Sequence, residues 1–282
     1  MLNEFYNSLK IMEWNINGRA GYGNYSIPEF VADEIVSQDA DIVILTEFVI
    51  KCNWDYFRGV LEKKYKLFSS PYISEQNGVL IALKKDNEDF DINSAIISSE
   101  LNAIQTEKPN FLKVTVKYNK KPLTIIGTRI CVGDRSDEDL AGRKKQRQVI
   151  YDHLESLNNE CRVICMGDFN ATPRFIWEEK LNCGDFKLDC PSYNTDNDTY
   201  KRINKEYCSW SYVHEDGKGA DKGKASIDHI IVKGLTVADS KYIWDFVNEN
   251  NGYGSLRERD YKSHLVGYPD HAILSARIAF ND

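Results

Sequence analysis

Residues 111–128 constrain the fold more than any other stretch. Leu112, Val114, Val116 and Tyr118 alternate with Lys113, Thr115 and Lys117, which gives a strand one apolar and one wet face. Asn119-Lys120-Lys121 then turns the chain into Leu123-Thr124-Ile125-Ile126, so the segment predicts a β-hairpin. A hairpin is antiparallel by construction. Ile42–Leu45 and Val163–Met166 are instead unbroken apolar runs, the mark of strands covered on both faces. Gly78–Leu83 and Ala272–Phe280 also read as strands.

Helical signals separate several of these strands. Ser26-Ile27-Pro28-Glu29 fits a capping box, followed by an apolar stripe of Ile27, Phe30, Val31 and Ile35. Asn53 is expected to cap a helix carrying Trp54, Phe57, Val60 and Leu61. Residues 136–157 predict a helix with Val149, Ile150, Leu154 and Leu157 facing inward. Thr172-Pro173 predicts another, with Thr172 as N-cap and Pro173 at the first position. The expected class is α/β, with two packed sheets flanked by helices, and the hairpin counts against a single parallel sheet. Without a linker or a repeat at solenoid period, residues 1–282 read as a single domain.

Composition excludes some roles. A net charge of −7 argues against gripping long nucleic acid by charge alone, while leaving room for local basic patches. No apolar run reaches the roughly 18 residues of a membrane span, and MLNEFYNSLK has no apolar core of a signal peptide. The seven cysteines are an odd number, and neither Cys161/Cys165 nor Cys183/Cys190 has zinc-ribbon spacing. Reduced thiols in a cytoplasmic, monomeric protein are the expectation.

The chemistry collects at strand ends. Ile11-Met12-Glu13-Trp14 leads to Asn15 and Asn17, Ile42–Thr46 to Glu47, Leu123–Thr128 to Arg129, and Arg162–Gly167 to Asp168 and Asn170. One carboxylate after a strand is ordinarily a turn residue; four such runs point to one pocket. Ser226-Ile227-Asp228-His229 and Pro269-Asp270-His271 add two Asp-His steps, in which a carboxylate can orient an imidazole.

Taken in order, Trp14-Asn15-Ile16-Asn17-Gly18, Ala40-Asp41-Ile42-Val43-Ile44-Leu45-Thr46-Glu47, Gly167-Asp168-Phe169-Asn170, Ser226-Ile227-Asp228-His229 and Asp270-His271 resemble the endonuclease/exonuclease/phosphatase superfamily. Its members include DNase I, exonuclease III, AP endonucleases, sphingomyelinases and inositol polyphosphate 5-phosphatases. The resemblance runs from residue 11 to about 280 and implies a four-layered α/β sandwich. It further implies hydrolysis of phosphoester bonds with Mg²⁺ or Mn²⁺, a hard cation that neutralises an anionic substrate. On this basis Glu47 is the main metal ligand, Asn15 its amide neighbour, and Asp270 supports His271 or approaches the metal. Asp168 positions or deprotonates the attacking water. Asn170 holds a phosphate oxygen through its NH₂. His271 donates to the developing charge, with Asp228 accepting from its other nitrogen. Asn17 stands on the substrate side, where many members carry an acid. A DNA or RNA phosphodiester is the expected substrate. A lipid headgroup, a small phosphorylated metabolite, and an inactive binding module are the alternatives.

The chain leaves the pattern in two places. Arg129 stands where many members carry His or Tyr; it cannot serve as a base, and it either clamps phosphate through its fork or pairs with a site carboxylate. Pro269 replaces a Ser. The basic runs Arg143, Lys144, Lys145, Arg147 and Lys218, Lys222, Lys224 are expected to be solvated unless they flank the pocket, where they would hold a nucleic-acid backbone. Tyr22, Tyr25, Trp177, Tyr200 and Tyr253 are expected to pack loops, with base stacking as the alternative. Lys224-Ala225-Ser226 lacks the Trp that many AP endonucleases carry before the strand Asp, which speaks against abasic-site specificity. His153, His214, His229 and His264 are read as structural or surface residues.

Overall fold

The computed structural model describes residues 8–18, 26–50, 53–71, 77–99, 108–157, 159–179, 185–191, 193–194, 201–202, 209–213, 220–246 and 269–281. Two six-stranded sheets lie face to face. The first contains β1 (Ser8–Asn15), β2 (Ile42–Phe48), β3 (Tyr65–Ser69) and β4 (Gly78–Lys84). The second begins with β5 (Phe90–Ser98), β6 (Asn110–Tyr118), β7 (Lys121–Arg129) and β8 (Val163–Asp168). Then come β9 (Lys187–Asp189) and the short strands β10 (Tyr193–Asn194), β11 (Lys201–Arg202), β12 (Trp210–Val213) and β13 (Ala220–Ala225). The chain continues through β14 (Asp228–Lys233), β15 (Leu235–Ile243) and β16 (Ile273–Phe280). The first sheet runs β15-β16-β1-β2-β4-β3 and the second β5-β6-β7-β8-β14-β9. β10 pairs with β11 and β12 with β13, outside both sheets. The pairs β1/β2 and β7/β8 are parallel; the other pairs in the two sheets are antiparallel.

The unbroken apolar runs are explained by two cores per strand. In β2, Ile42 and Ile44 point between the sheets, while Val43 and Leu45 pack outward beneath α1 (Glu29–Gln38) and α2 (Trp54–Leu61). In β8, Ile164 and Met166 point inward, while Val163 and Cys165 pack against α3 (Asp137–Ser156). Ile176 of α4 (Pro173–Glu178) joins that outer layer. The layers are therefore α/β/β/α.

Several local expectations need correction. Helix α1 starts at Glu29 after Pro28 and carries no side-chain cap, so the capping box does not form. Asn53 likewise gives α2 no side-chain cap; its amide instead bonds both the N–H and the carbonyl of Ile27, joining the two helix starts. The hairpin turn is Asn119-Lys120, both at positive φ, and Tyr118 pairs directly with Lys121. That is a two-residue turn with the twist strands prefer. In α3, Ile150, Leu154 and Leu157 at its end are buried as expected, but Val149 is only half-buried. Ser136 caps α3 by accepting from the Asp139 N–H.

Among the described residues, no helix is long and apolar enough to cross a membrane.

Candidate active site

The inward positions of the strands change character at one end of the inter-sheet layer. Along β1 they read Leu9, Ile11, Glu13, Asn15; along β8, Ile164, Met166, Asp168; along antiparallel β14, Val232, Ile230, Asp228. Register then sets Arg129, Asp168 and Asp228 side by side across β7, β8 and β14. In the other sheet it sets Asn15 beside Thr46.

Three polar contacts cross between the sheets here. The Asn15 Nδ2 donates across to Asp168 Oδ2 at 3.1 Å and, within its own sheet, to Glu47 Oε1 at 3.3 Å. Arg129 Nη2 stands 2.6 Å from Glu47 Oε1. His271 Nδ1 stands 2.9 Å from Asp228 Oδ2. Asp168, Asp228 and His271 are all buried, and each offers a ligand atom within 4.8 Å of the other two.

Backbone geometry aims these groups. Glu47 sits in a bulge, because Leu45 pairs with Leu80 but Phe48 pairs with Gly78. Its φ is 48°, an uncommon conformation for a non-glycine residue and of a kind that clusters at functional sites. Gly18 permits the close approach to that bulge. Its N–H donates to the Glu47 carbonyl at 2.9 Å, and a Cβ there would lie 2.1 Å from the same oxygen. Asn17 and Asn170 also adopt positive φ. The Asn17 N–H donates to Asn15 Oδ1 at 3.0 Å, leaving the Asn15 NH₂ for the two carboxylates.

The sequence expectation for Asn170 shifts. Its Nδ2 donates to Asp168 Oδ2 at 2.9 Å and to the Ile130 carbonyl at 2.8 Å. An amide nitrogen has two hydrogens, and both are used. Its backbone N–H adds a bond to Asp168 Oδ1, so Asn170 in this arrangement orients Asp168. Asp270 is half-buried and its negative charge acts on His271.

Burial pushes the Asp168 carboxyl up to about 7, with His271 and Arg129 opposing the rise and Asp228 adding to it. For His271, burial favours the neutral ring, but the charge and hydrogen bond of Asp228 outweigh it and hold the pKa well above the usual value. Burial acts against the Arg129 cation too, and Glu47 overrides it.

Four residues of the site were given no role by the sequence reading. Glu13 is fully buried, and its Oε1 accepts from the Thr46 hydroxyl at 2.8 Å. Burial, reinforced by Asp228, raises its pKa well above the ordinary value. The two-residue period from Leu9 through Ile11 would have flagged a carboxylate on an apolar face. Trp14 donates its indole N–H to the His271 carbonyl at 3.0 Å. Ser209 accepts the Ile227 and Asp228 N–H groups on Oγ at 2.8 and 3.1 Å, and its carbonyl accepts the Ala272 N–H at 2.7 Å. Tyr242 donates to the Asp228 carbonyl at 2.7 Å. Ser209 and Tyr242 carry no sequence signal, because their role depends on long-range pairing.

Of the basic run on α3, Arg143 pairs with Asp139 and Arg147 with Glu179; Lys144 and Lys145 are on the exposed face. Tyr22, Tyr25, Tyr200, Tyr253, Lys218, His214 and His264 lie outside the described residues, as do the side chains of Trp177, Lys222 and Lys224. His229 is buried with Nε2 2.7 Å from the Ala171 carbonyl, a core position.

Residues 12–255 match the model of the endonuclease/exonuclease/phosphatase family. The chain belongs to that family. Its sheets and flanking helices are the DNase I-like sandwich, and the named activities of the family all break phosphoester bonds. Asp270 and His271 lie beyond the matched span; the fold returns them to it through the Asp228–His271 contact. No curated protein matches the chain in sequence. Among solved structures, TDP2 from C. elegans aligns at 18% identity and TM-score 0.65 over 96% of this chain and 75% of its own. D. rerio TDP2 complexed with single strand DNA product aligns at 15% and 0.65 over 96% and 98%. ANGEL2, a 2′,3′-cyclic phosphatase, in complex with adenosine-2′,3′-vanadate aligns at 14% and 0.66 over 98% and 96%. At these identities the likeness is one of fold.

Proposed function

We propose that this family member is a Mg²⁺- or Mn²⁺-dependent nuclease that hydrolyses DNA or RNA phosphodiesters, acting as a monomer through a single domain. The observation that carries the reading is the Asp168–Asp228–His271 group, buried within 4.8 Å beside the Asn15-linked carboxylate of Glu47. The donors fit a hard divalent ion. The carboxylates supply hard oxygen donors, and among the described residues Asp228 Oδ1 is buried without a hydrogen-bond partner. Glu47 would hold the ion, with Asn15 keeping Glu47 and Asp168 in place and Asp270 close by. Such an ion neutralises phosphate charge and eases deprotonation of water.

The remaining chemistry falls to side chains. Asp168 is fixed by Asn15 and Asn170 and has a pKa near 7, suited to a general base at neutral pH. His271, kept cationic by Asp228, donates to the charge that develops on phosphate as the bond breaks. Asn17 lies on the substrate side. Nucleic acid is favoured over a lipid headgroup or small metabolite because the similarly folded D. rerio TDP2 was solved with a single-strand DNA product.

The test is a panel of plasmid DNA, single strands, RNA, phospholipids and phosphomonoesters, each with Mg²⁺ and with EDTA. Cleavage of the nucleic acids that EDTA abolishes is expected. Glu47→Gln should lower it at least about 100-fold at limiting Mg²⁺, close to 2.7 kcal/mol. Turnover of phospholipid or monoester alone would move the assignment to the alternative substrates, and activity in EDTA would remove the metal.

A further inference from the structure

We infer that Arg129 is a built-in counter-ion that a divalent cation must displace from Glu47; the inference rests on Glu47 being that cation's ligand. The bulge fixes the Glu47 backbone at positive φ and, with its side chain 13% exposed, leaves the carboxylate little freedom to turn into water. It shares this end of the layer with Glu13, Asp168 and Asp228, so a bare carboxylate there would be strongly opposed by like charge. Arg129 ends the neighbouring sheet's β7, and its Nη2 reaches Glu47 Oε1 at 2.6 Å. A guanidinium cannot be deprotonated at physiological pH, so loss of the Arg129 charge cannot be what frees Glu47.

The pairing does not complete the guanidinium. Arg129 Nε is buried with no hydrogen-bond partner among the described residues. An orphaned donor of this kind is costly, and it marks a side chain that has one acceptor too few in the resting arrangement. A divalent ion held by Glu47 would bring a double positive charge onto that same carboxylate. A guanidinium hydrogen-bonded to the same carboxylate would then face a double positive charge a few ångströms away in a water-poor site, where repulsion is weakly screened. One cation must yield. Release of Arg129 leaves a two-pronged donor at the strand end beside Asp168, free to take the oxygens of a phosphate. Metal and phosphate then favour each other's binding, since the group expelled by the first is recruited by the second. A His or Tyr at this position, as in many relatives of the superfamily, places no permanent cation on the carboxylate.

Calorimetric titration of Mn²⁺ into the full chain, without substrate, tests the exchange. Arg129→Gln should bind Mn²⁺ at least tenfold more tightly than wild type, with Arg129→Lys between them. Wild-type binding with equal or weaker affinity in Arg129→Gln overturns the inference, because Arg129 then stays in place beside the metal. If no variant, wild type included, binds Mn²⁺, the metal reading itself falls. Thermal unfolding checks that the variants fold. Should Arg129→Gln fail to fold, wild type alone still decides: inorganic phosphate should tighten its Mn²⁺ affinity several-fold, and an unchanged affinity sinks the exchange.

Discussion

The two ends of the inter-sheet layer are equally buried and chemically opposite. At Gly127 of β7 the sheets interlock so closely that a Cβ there would stand 2.6 Å from Val79 Cγ1 and 2.8 Å from Ile44 Cγ2. That part is apolar, and its contribution scales with the apolar area buried. Two residues further along β7 begin the charged groups, held by the Asn15, Arg129 and His271 contacts across the sheets. Burying such charges is expensive even when paired. The difference teaches that the apolar end stabilises the sandwich, while the polar end draws on that stability to hold perturbed groups in place.

The sharpest break between the ends comes from the paired substitutions Asp168→Asn and His271→Ala. Each should lower turnover of the folded protein by roughly 100-fold to 1,000-fold, as for loss of a group that stabilises transition-state charge; His271→Ala, which leaves Asp228 buried without its partner, should lower the melting temperature as well. The double variant should be scarcely worse than the poorer single one, because the residues act on one step. Fully multiplicative losses in steady-state kinetics would assign them to separate events. At the apolar end, Ile125→Ala should do the reverse. Ile125 is fully buried in the inter-sheet core, and its truncation costs about 2–5 kcal/mol. Chemical denaturation should show that loss, with kcat/KM of the folded fraction unchanged.

How much of this contrast was visible beforehand follows from the range of the interactions. The sandwich was legible because the period of two in Leu112–Tyr118 and the unbroken runs are local consequences of which strand faces are covered. That Glu47, Asp168, Asp228 and His271 come together at one end of the layer was legible too, since they sit at strand ends in recognisable order. The Asp228–His271 pairing followed from the resemblance and is present in the structure, but the finer partnerships were not legible. That Arg129 meets Glu47, or that Asn170 spends its amide on Asp168 and Ile130, depends on register and on a bulge between strands far apart in sequence. Capping was misread at Ser26 and Asn53 because a tertiary bond to Ile27 outweighed the local motif.

Two histidines, each beside Asp228, sharpen the comparison through pH. His271 faces the site and is held cationic. His229 points to the opposite face, and burial lowers its pKa from 6.5 to about 4. A depressed folded pKa means that this stability is fully present above pH 6.5 and is lost as pH falls toward 4. The group then contributes up to about 3 kcal/mol of acid sensitivity. His229→Gln can keep a donor for the Ala171 carbonyl without titrating. Its melting temperature should therefore fall less steeply between pH 6.5 and 4 than that of wild type. Parallel curves would place the acid lability elsewhere.

The smallest expected effect concerns Ser209, which belongs to neither end but ties the polar one together. Its hydroxyl accepts the N–H groups of Ile227 and Asp228, and its carbonyl holds Ala272, the residue after His271. One buried serine thus sets the spacing between the segments that carry Asp228 and His271. Ser209→Ala removes the shared acceptor and leaves two N–H groups without it, at a cost of about 1–3 kcal/mol. A merely structural role predicts only a lower melting temperature. A positioning role predicts in addition a several-fold fall in kcat with KM unchanged and, because Asp228 is what raises it, a lower His271 pKa by NMR titration. Ser209→Thr, which keeps the oxygen, should restore both. The His271 titration decides the matter: an unshifted curve in Ser209→Ala would mean that the Asp228–His271 pair holds its own geometry, and that the long-range hydrogen bonds around it serve the fold alone.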